Sequence, residues 1–74
     1  MGRLPAVRGD DAIRAFERVG FYLDHWHGSH AILYHADGRH LSVPGGRREV
    51  KPGTLRKLIR QAGVSVEEFA DLLR

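Results

Sequence analysis

The chain has 74 residues, a formal charge of +3 and no cysteine, which leaves room for one small hydrophobic core and excludes thiol nucleophiles, thiolate metal sites and disulfides. Its composition, 42% hydrophobic and 28% charged, is that of a folded domain, and no apolar run approaches the ~20 residues of a membrane span. The start, MGRLPAVRGD, lacks the ~7 to 15 apolar residues of a secretory signal, so the expectation is a single domain over residues 1–74, cytoplasmic and unprocessed.

Asp10 and Asp11 offer an N-cap and a favourable first-turn charge, and Ala12, Ile13, Phe16 and Val19 recur at helical spacing up to Gly20. This predicts a first helix over about residues 10–19. FYLDHW at 21–26, HAILYH at 30–35 and RHLSV at 39–43 then read as three strands. The connections His27-Gly28-Ser29 and Ala36-Asp37-Gly38 are short enough, and rich enough in turn residues, to make consecutive strands antiparallel neighbours. Pro44-Gly45-Gly46 ends the third strand and a loop runs to Gly53. Thr54 is positioned to cap a second helix whose Leu55, Leu58, Ile59 and Ala62 form one apolar stripe, opposite Arg56, Lys57 and Arg60, until Gly63 closes it. Ser65 and Glu68 form a capping box between Val64 and Phe69, and open a short last helix. The expected architecture is α+β, with one three-stranded antiparallel sheet and its helices on one face.

The positive charge is local. Residues 39–60 carry seven Lys or Arg against Glu49 alone, whereas the segments on either side are net acidic. Arg47, Arg48 and Lys51 in the loop, with Arg56, Lys57 and Arg60 on the following helix, offer a polyanion an obvious place to dock.

Five histidines, at 25, 27, 30, 35 and 40, are the side chains that exchange a proton near neutral pH most readily. His25 and His27, two apart on one strand, share a face, yet no carboxylate or thiolate completes a familiar metal-ligand spacing. His35 and His40 flank the Asp-Gly turn and are expected to face each other across the hairpin. His30 is set apart by Gly28 and Ser29, since glycine admits close approach of the backbone and the hydroxyl and free N–H groups can hold a phosphate beside an imidazole. Tyr22, Trp26 and Tyr34 suit base stacking but equally suit a sheet core.

Leu4-Pro5, Gly20-Phe21, Gly28-Ser29-His30, Asp37-Gly38, Val43-Pro44, Pro52-Gly53-Thr54-Leu55 and Gln61-Ala62-Gly63 with Phe69 beyond stand in order along the chain. By these residues it resembles, over nearly its whole length, the HicA-type toxins of HicA/HicB toxin–antitoxin systems, formerly grouped as YcfA-like proteins. The resemblance implies the α-β-β-β-α arrangement of a double-stranded-RNA-binding domain. It also implies a metal-independent, cofactor-free endoribonuclease that cleaves messenger RNA, blocks translation and is held inactive by a HicB antitoxin. The catalytic histidine of the family's Gly-Ser-His motif corresponds to His30. Many members carry a further histidine after the Val-Pro pair, where this chain has Gly45-Gly46-Arg47.

On this reading His30 is the general base that takes the proton of a ribose 2′-hydroxyl. The freed oxygen attacks the adjacent phosphorus and leaves a 2′,3′-cyclic phosphate. Gly28, Ser29, Arg47, Arg48, Lys51, Arg56, Lys57 and Arg60 are the expected RNA-binding residues. The alternative is a non-catalytic RNA-binding module of the same fold, with His30 structural.

Overall fold

Helix α1 (Gly9–Glu17), strands β1 (Phe21–His27), β2 (His30–His35) and β3 (His40–Pro44), and helices α2 (Pro52–Ala62) and α3 (Val66–Leu72) follow in the expected order. The structure, a computed structural model, describes residues 4–74, so the reading of Met1 to Arg3 as part of an unprocessed start lies outside it. The strands form one antiparallel sheet in the order β1-β2-β3, as two short connections require.

Register assigns the faces, because directly opposed residues share a side of the sheet. Phe21 lies opposite His35, Leu23 opposite Leu33 and Leu41, and Trp26 opposite Ala31 and Val43. These point toward the helices, and Phe21, Ala31, Leu33, Leu41 and Val43 are buried there. The helices close over them with Ala12, Ile13 and Phe16 of α1, with Leu55, Leu58, Ile59 and Ala62 of α2, and with Phe69 of α3. The Phe16 and Phe69 rings lie 5.0 Å apart and are the largest fully buried side chains. No buried polar or charged residue interrupts this core among the described residues.

Three local expectations are corrected. Helix α1 begins one residue earlier and ends two earlier than the spacing of its apolar residues predicts. Its N-cap is Arg8, with no side-chain cap. Asp10 and Asp11 already lie in the first turn, where they complement the helix dipole. Helix α2 begins at Pro52, with Lys51 as N-cap, so Thr54 sits inside the first turn and caps nothing. Proline suits the first helical position because its missing N–H is unpaired there in any case. The capping box at α3 is as expected: Ser65 Oγ accepts from the Glu68 N–H at 3.0 Å and Glu68 Oε1 accepts from the Ser65 N–H at 2.8 Å.

The third correction concerns His35 and His40, which do not face each other. His40 lies opposite Tyr34, while His35, one residue further along β2, points to the other side and packs edge-on against Phe21 at 5.1 Å. Its Nε2–H donates to the Val19 carbonyl at 3.1 Å, which leaves Nδ1 free to accept from the Asp37 N–H at 3.2 Å. One ring nitrogen thereby holds the segment between α1 and β1, and the other holds the β2–β3 turn.

Candidate functional site

The open face of the sheet carries three cross-strand rows. Tyr22, Tyr34 and His40 form the first, His25, Ile32 and Ser42 the second, and His27, His30 and Pro44 the third. Four of the five histidines therefore share one face. A β-bulge decides this: the register slips between Leu23 and His25, leaving Asp24 unpaired. Strict alternation from Phe21 would have turned His25 and His27 toward the core; the extra residue turns them outward. His25 and His27 share a face, as their spacing requires, and His25 Nδ1 lies 2.6 Å from Asp24 Oδ2. Among the described residues no three His, Asp or Glu converge as metal ligands do.

His30 opens β2 at the end of the two-residue turn Gly28-Ser29. Gly28 has a φ of 61°, and the imidazole of His30 is exposed with no hydrogen bond to any described residue. The turn is joined to the basic loop, since the Ser29 carbonyl accepts from the Gly45 N–H at 3.0 Å. The Trp26 ring lies so close over Gly45 that a Cβ there would come within 2.5 Å of it; only glycine lets the strand end and the loop approach so nearly. Ser29, Arg47, Arg48, Glu49, Lys51 and Thr54 line a cleft of about 490 Å³ at this end of the sheet.

What holds the basic loop in place was not visible in the sequence. The loop is bound to the start of α1: the Gly9 N–H donates to Arg48 O and the Asp10 N–H to Gly46 O, both at 3.0 Å. Asp10 Oδ1 accepts in return from the Gly46 N–H at 2.8 Å. Val50 donates to Val7 O at 2.8 Å, extending the contact into a bridge between Arg8 and Glu49. Gly9 has no room for a side chain, because a Cβ would fall 1.9 Å from the Pro44 carbonyl oxygen. These partners lie some forty residues apart in sequence, and such pairing leaves no local pattern to read.

The six candidate basic residues do not form one patch. Arg47, Arg48 and Lys51 line the cleft beside Ser29. Thr54 is shared between that cleft and a groove of about 210 Å³ between β3 and α2, where Lys57 and Gln61 face His40 and Ser42. Arg56 and Arg60 instead border a groove with Val64, Ser65 and Val66, on the α3 side of α2, and Arg56 also borders one with Pro5, Glu49 and Val50, away from Ser29. None of the six is in an ion pair among the described residues. The first turn of α2 holds no acidic residue, unlike those of α1 and α3, so the positive end of its dipole meets no carboxylate of its own first turn.

The site thus offers an unengaged imidazole beside a glycine turn, joined through Ser29 to a cleft where three cations free of ion pairs lie near the start of α2, an arrangement with the chemistry to hold a phosphate group and to move a proton. No described helix is long and apolar enough to cross a membrane. No curated protein matches the chain. The family model for the HicA toxin of bacterial toxin–antitoxin systems matches residues 9–64, most of the chain and all of the site just described. The protein is therefore a member of the HicA toxin family, the toxin half of a system in which an antitoxin is the partner.

Proposed function

We propose that this toxin is a metal-independent endoribonuclease that cleaves messenger RNA and so blocks translation, with His30 as general base. The observation that carries the reading is the union of His30 with the basic loop through the Ser29–Gly45 hydrogen bond. A base exposed to solvent and cations able to hold a phosphate lie at one end of the sheet, and no described group occupies the imidazole.

The reaction follows from what RNA itself supplies. A ribose 2′-hydroxyl loses its proton to the His30 imidazole and its oxygen attacks the neighbouring phosphorus, closing a 2′,3′-cyclic phosphate as the bond to the 5′-oxygen breaks. Negative charge builds on the non-bridging oxygens in the transition state, where Arg47, Arg48 and Lys51 and the N–H groups of Gly28 and Ser29 stabilise it. Lys57 extends the track of cations along the β3–α2 groove, while Arg56 and Arg60, on the α3 side, act on RNA only through the longer-range field. A HicB antitoxin silences the enzyme by covering His30 or the cleft; occlusion requires no change in the toxin's shape.

The test is induced expression of wild type and His30→Ala in a host without the antitoxin, with growth and RNA integrity scored together. Growth arrest with loss of messenger RNA in wild type alone is the expected result. Arrest by both proteins with RNA intact would reject the nuclease reading in favour of binding.

A further inference from the structure

Cleavage of a phosphodiester needs a proton at the departing 5′-oxygen as well as a base at the 2′-oxygen, and the cross-strand row that holds His30 supplies a second imidazole. His27 and His30 are the two residues that flank the Gly28-Ser29 turn, and they are direct partners in the β1–β2 register. Opposed residues share a face and have Cβ atoms about 4.5–5.5 Å apart, so two rings from these positions can flank a single phosphate. Both side chains are exposed, and neither ring is hydrogen-bonded to another described residue.

Resting on the nuclease reading above, we infer that His27 is a second catalytic residue, the general acid that protonates the 5′-oxygen leaving group. His30 takes the proton of the 2′-hydroxyl; the 2′-oxygen–phosphorus bond forms and the phosphorus–5′-oxygen bond breaks. The proton of the His27 imidazolium then ends on the 5′-oxygen. The products are a 2′,3′-cyclic phosphate and a 5′-hydroxyl, no water is consumed, and one imidazole gains the proton that the other loses.

The other histidines are placed less well for this step. His25 lies one row away and has Nδ1 engaged by Asp24 Oδ2 at 2.6 Å. His40 stands opposite Tyr34, which is four residues from His30 along β2, roughly 13 Å at ~3.3 Å per residue. That distance prevents it from serving the same phosphate as His30. On the β3 side the partner of His30 is Pro44 and the nearest residue of β2 on this face is Ile32, neither of which titrates. The charged groups of the adjoining loop are those of the cleft, Arg47, Arg48, Glu49 and Lys51.

The proposal is tested with a single-stranded oligoribonucleotide of mixed sequence and a counterpart whose cleaved linkage, located first with wild type, carries sulfur in place of the bridging 5′-oxygen. A thiolate is a far weaker base than an alkoxide and leaves without a proton. On ordinary RNA the wild-type rate is expected to rise and then fall with pH. His27→Gln is expected to lose about 10²- to 10⁴-fold in rate together with the falling limb. On the sulfur substrate His27→Gln should return to within a few-fold of wild type, whereas His30→Ala should not. A merely misfolded His27→Gln would fail on both substrates. The inference is overturned, with the nuclease reading intact, if His27→Gln cuts ordinary RNA at the wild-type rate or if its defect persists on the sulfur substrate. Wild type that cuts neither substrate overturns both.

Discussion

His30 and His35 begin and end the same strand, and the contrast between them separates a side chain available for chemistry from one consumed by the fold. His35 is half-buried, with Nε2 held by the Val19 carbonyl, Nδ1 by the Asp37 N–H and its ring edge against Phe21. His30 is exposed beside a turn in which a side chain on Gly28 would meet nothing within 4 Å. The turns beyond them differ in the same way. The β2–β3 turn is closed by its own hydrogen bonds and by Arg39, whose guanidinium reaches Asp37 and the Ala62 carbonyl at the end of α2. The Gly28-Ser29 turn is fixed to the rest of the protein by its backbone, through Ser29 O, which leaves the donors and side chains at that end of the sheet free for a ligand.

Exchanging the fates of the two histidines is the strongest test of this contrast. His30→Ala should reduce RNA cleavage by about 10²- to 10⁴-fold while shifting unfolding free energy by no more than about 0.5 kcal/mol. His35→Ala should do the reverse, costing about 1–3 kcal/mol through two lost hydrogen bonds and the lost packing on Phe21, with cleavage per folded molecule retained. Urea titration and single-turnover cleavage on the same preparations measure both. A His35→Ala protein that is stable but inactive would erase the distinction.

Gly9→Ala ranks next, and it probes how far the open end depends on its anchor at the start of α1. The new Cβ would fall 1.9 Å from the Pro44 carbonyl oxygen, so backbone must move, at a cost of about 1–3 kcal/mol. The movement loosens the loop that carries Arg47 and Arg48, because Gly9 and Asp10 hold it by their N–H groups. RNA affinity should therefore fall along with stability, whereas a Phe69→Ala protein, losing about 3–5 kcal/mol from the distant core, should bind RNA normally while folded.

Much of this arrangement is written in local pattern. The element order, both short turns, the apolar stripe of α2, the Ser65–Glu68 box and the exposed position of His30 all follow from residues within a few positions of one another. What the sequence withholds depends on partners distant along the chain or on a register. One unpaired residue, Asp24, decides which way His25 and His27 point. Register sends His35 and His40 to opposite faces, and helix rotation puts Lys57 on one side of α2 and Arg56 and Arg60 on another. The anchoring of the loop by Val7, Gly9 and Asp10 has no periodicity at all.

That split gives a prediction of intermediate size. If about three cations neutralise phosphates of a single strand, the slope of log affinity against log salt should be near −2, using ~0.7 per contact. Arg47→Gln and Arg48→Gln should each flatten the slope by about 0.7, whereas Arg56→Gln and Arg60→Gln should leave it nearly unchanged. Equal effects from both pairs would mean that RNA wraps α2 rather than occupying the cleft.

The smallest effect belongs to the closed turn and is read in acid. The Arg39 N–H bonded to Asp37 Oδ1 holds the Asp37 carboxyl below its ordinary value of 3.8; partial burial opposes this, and the Arg39 guanidinium reinforces it. A carboxyl whose value is lower in the folded than in the unfolded chain stabilises the fold fully above the unfolded value and loses that contribution as pH falls through the folded one. The difference in unfolding free energy between wild type and Asp37→Asn should thus be flat above about pH 5 and shrink as pH falls below about 4. Asp37 is exposed, so the change should be slight and reduced by salt, and cleavage at neutral pH should be the same in both proteins. A difference that grew in acid would show that the carboxylate strains this turn, and the reason for regarding the two ends of β2 as differently committed would be lost.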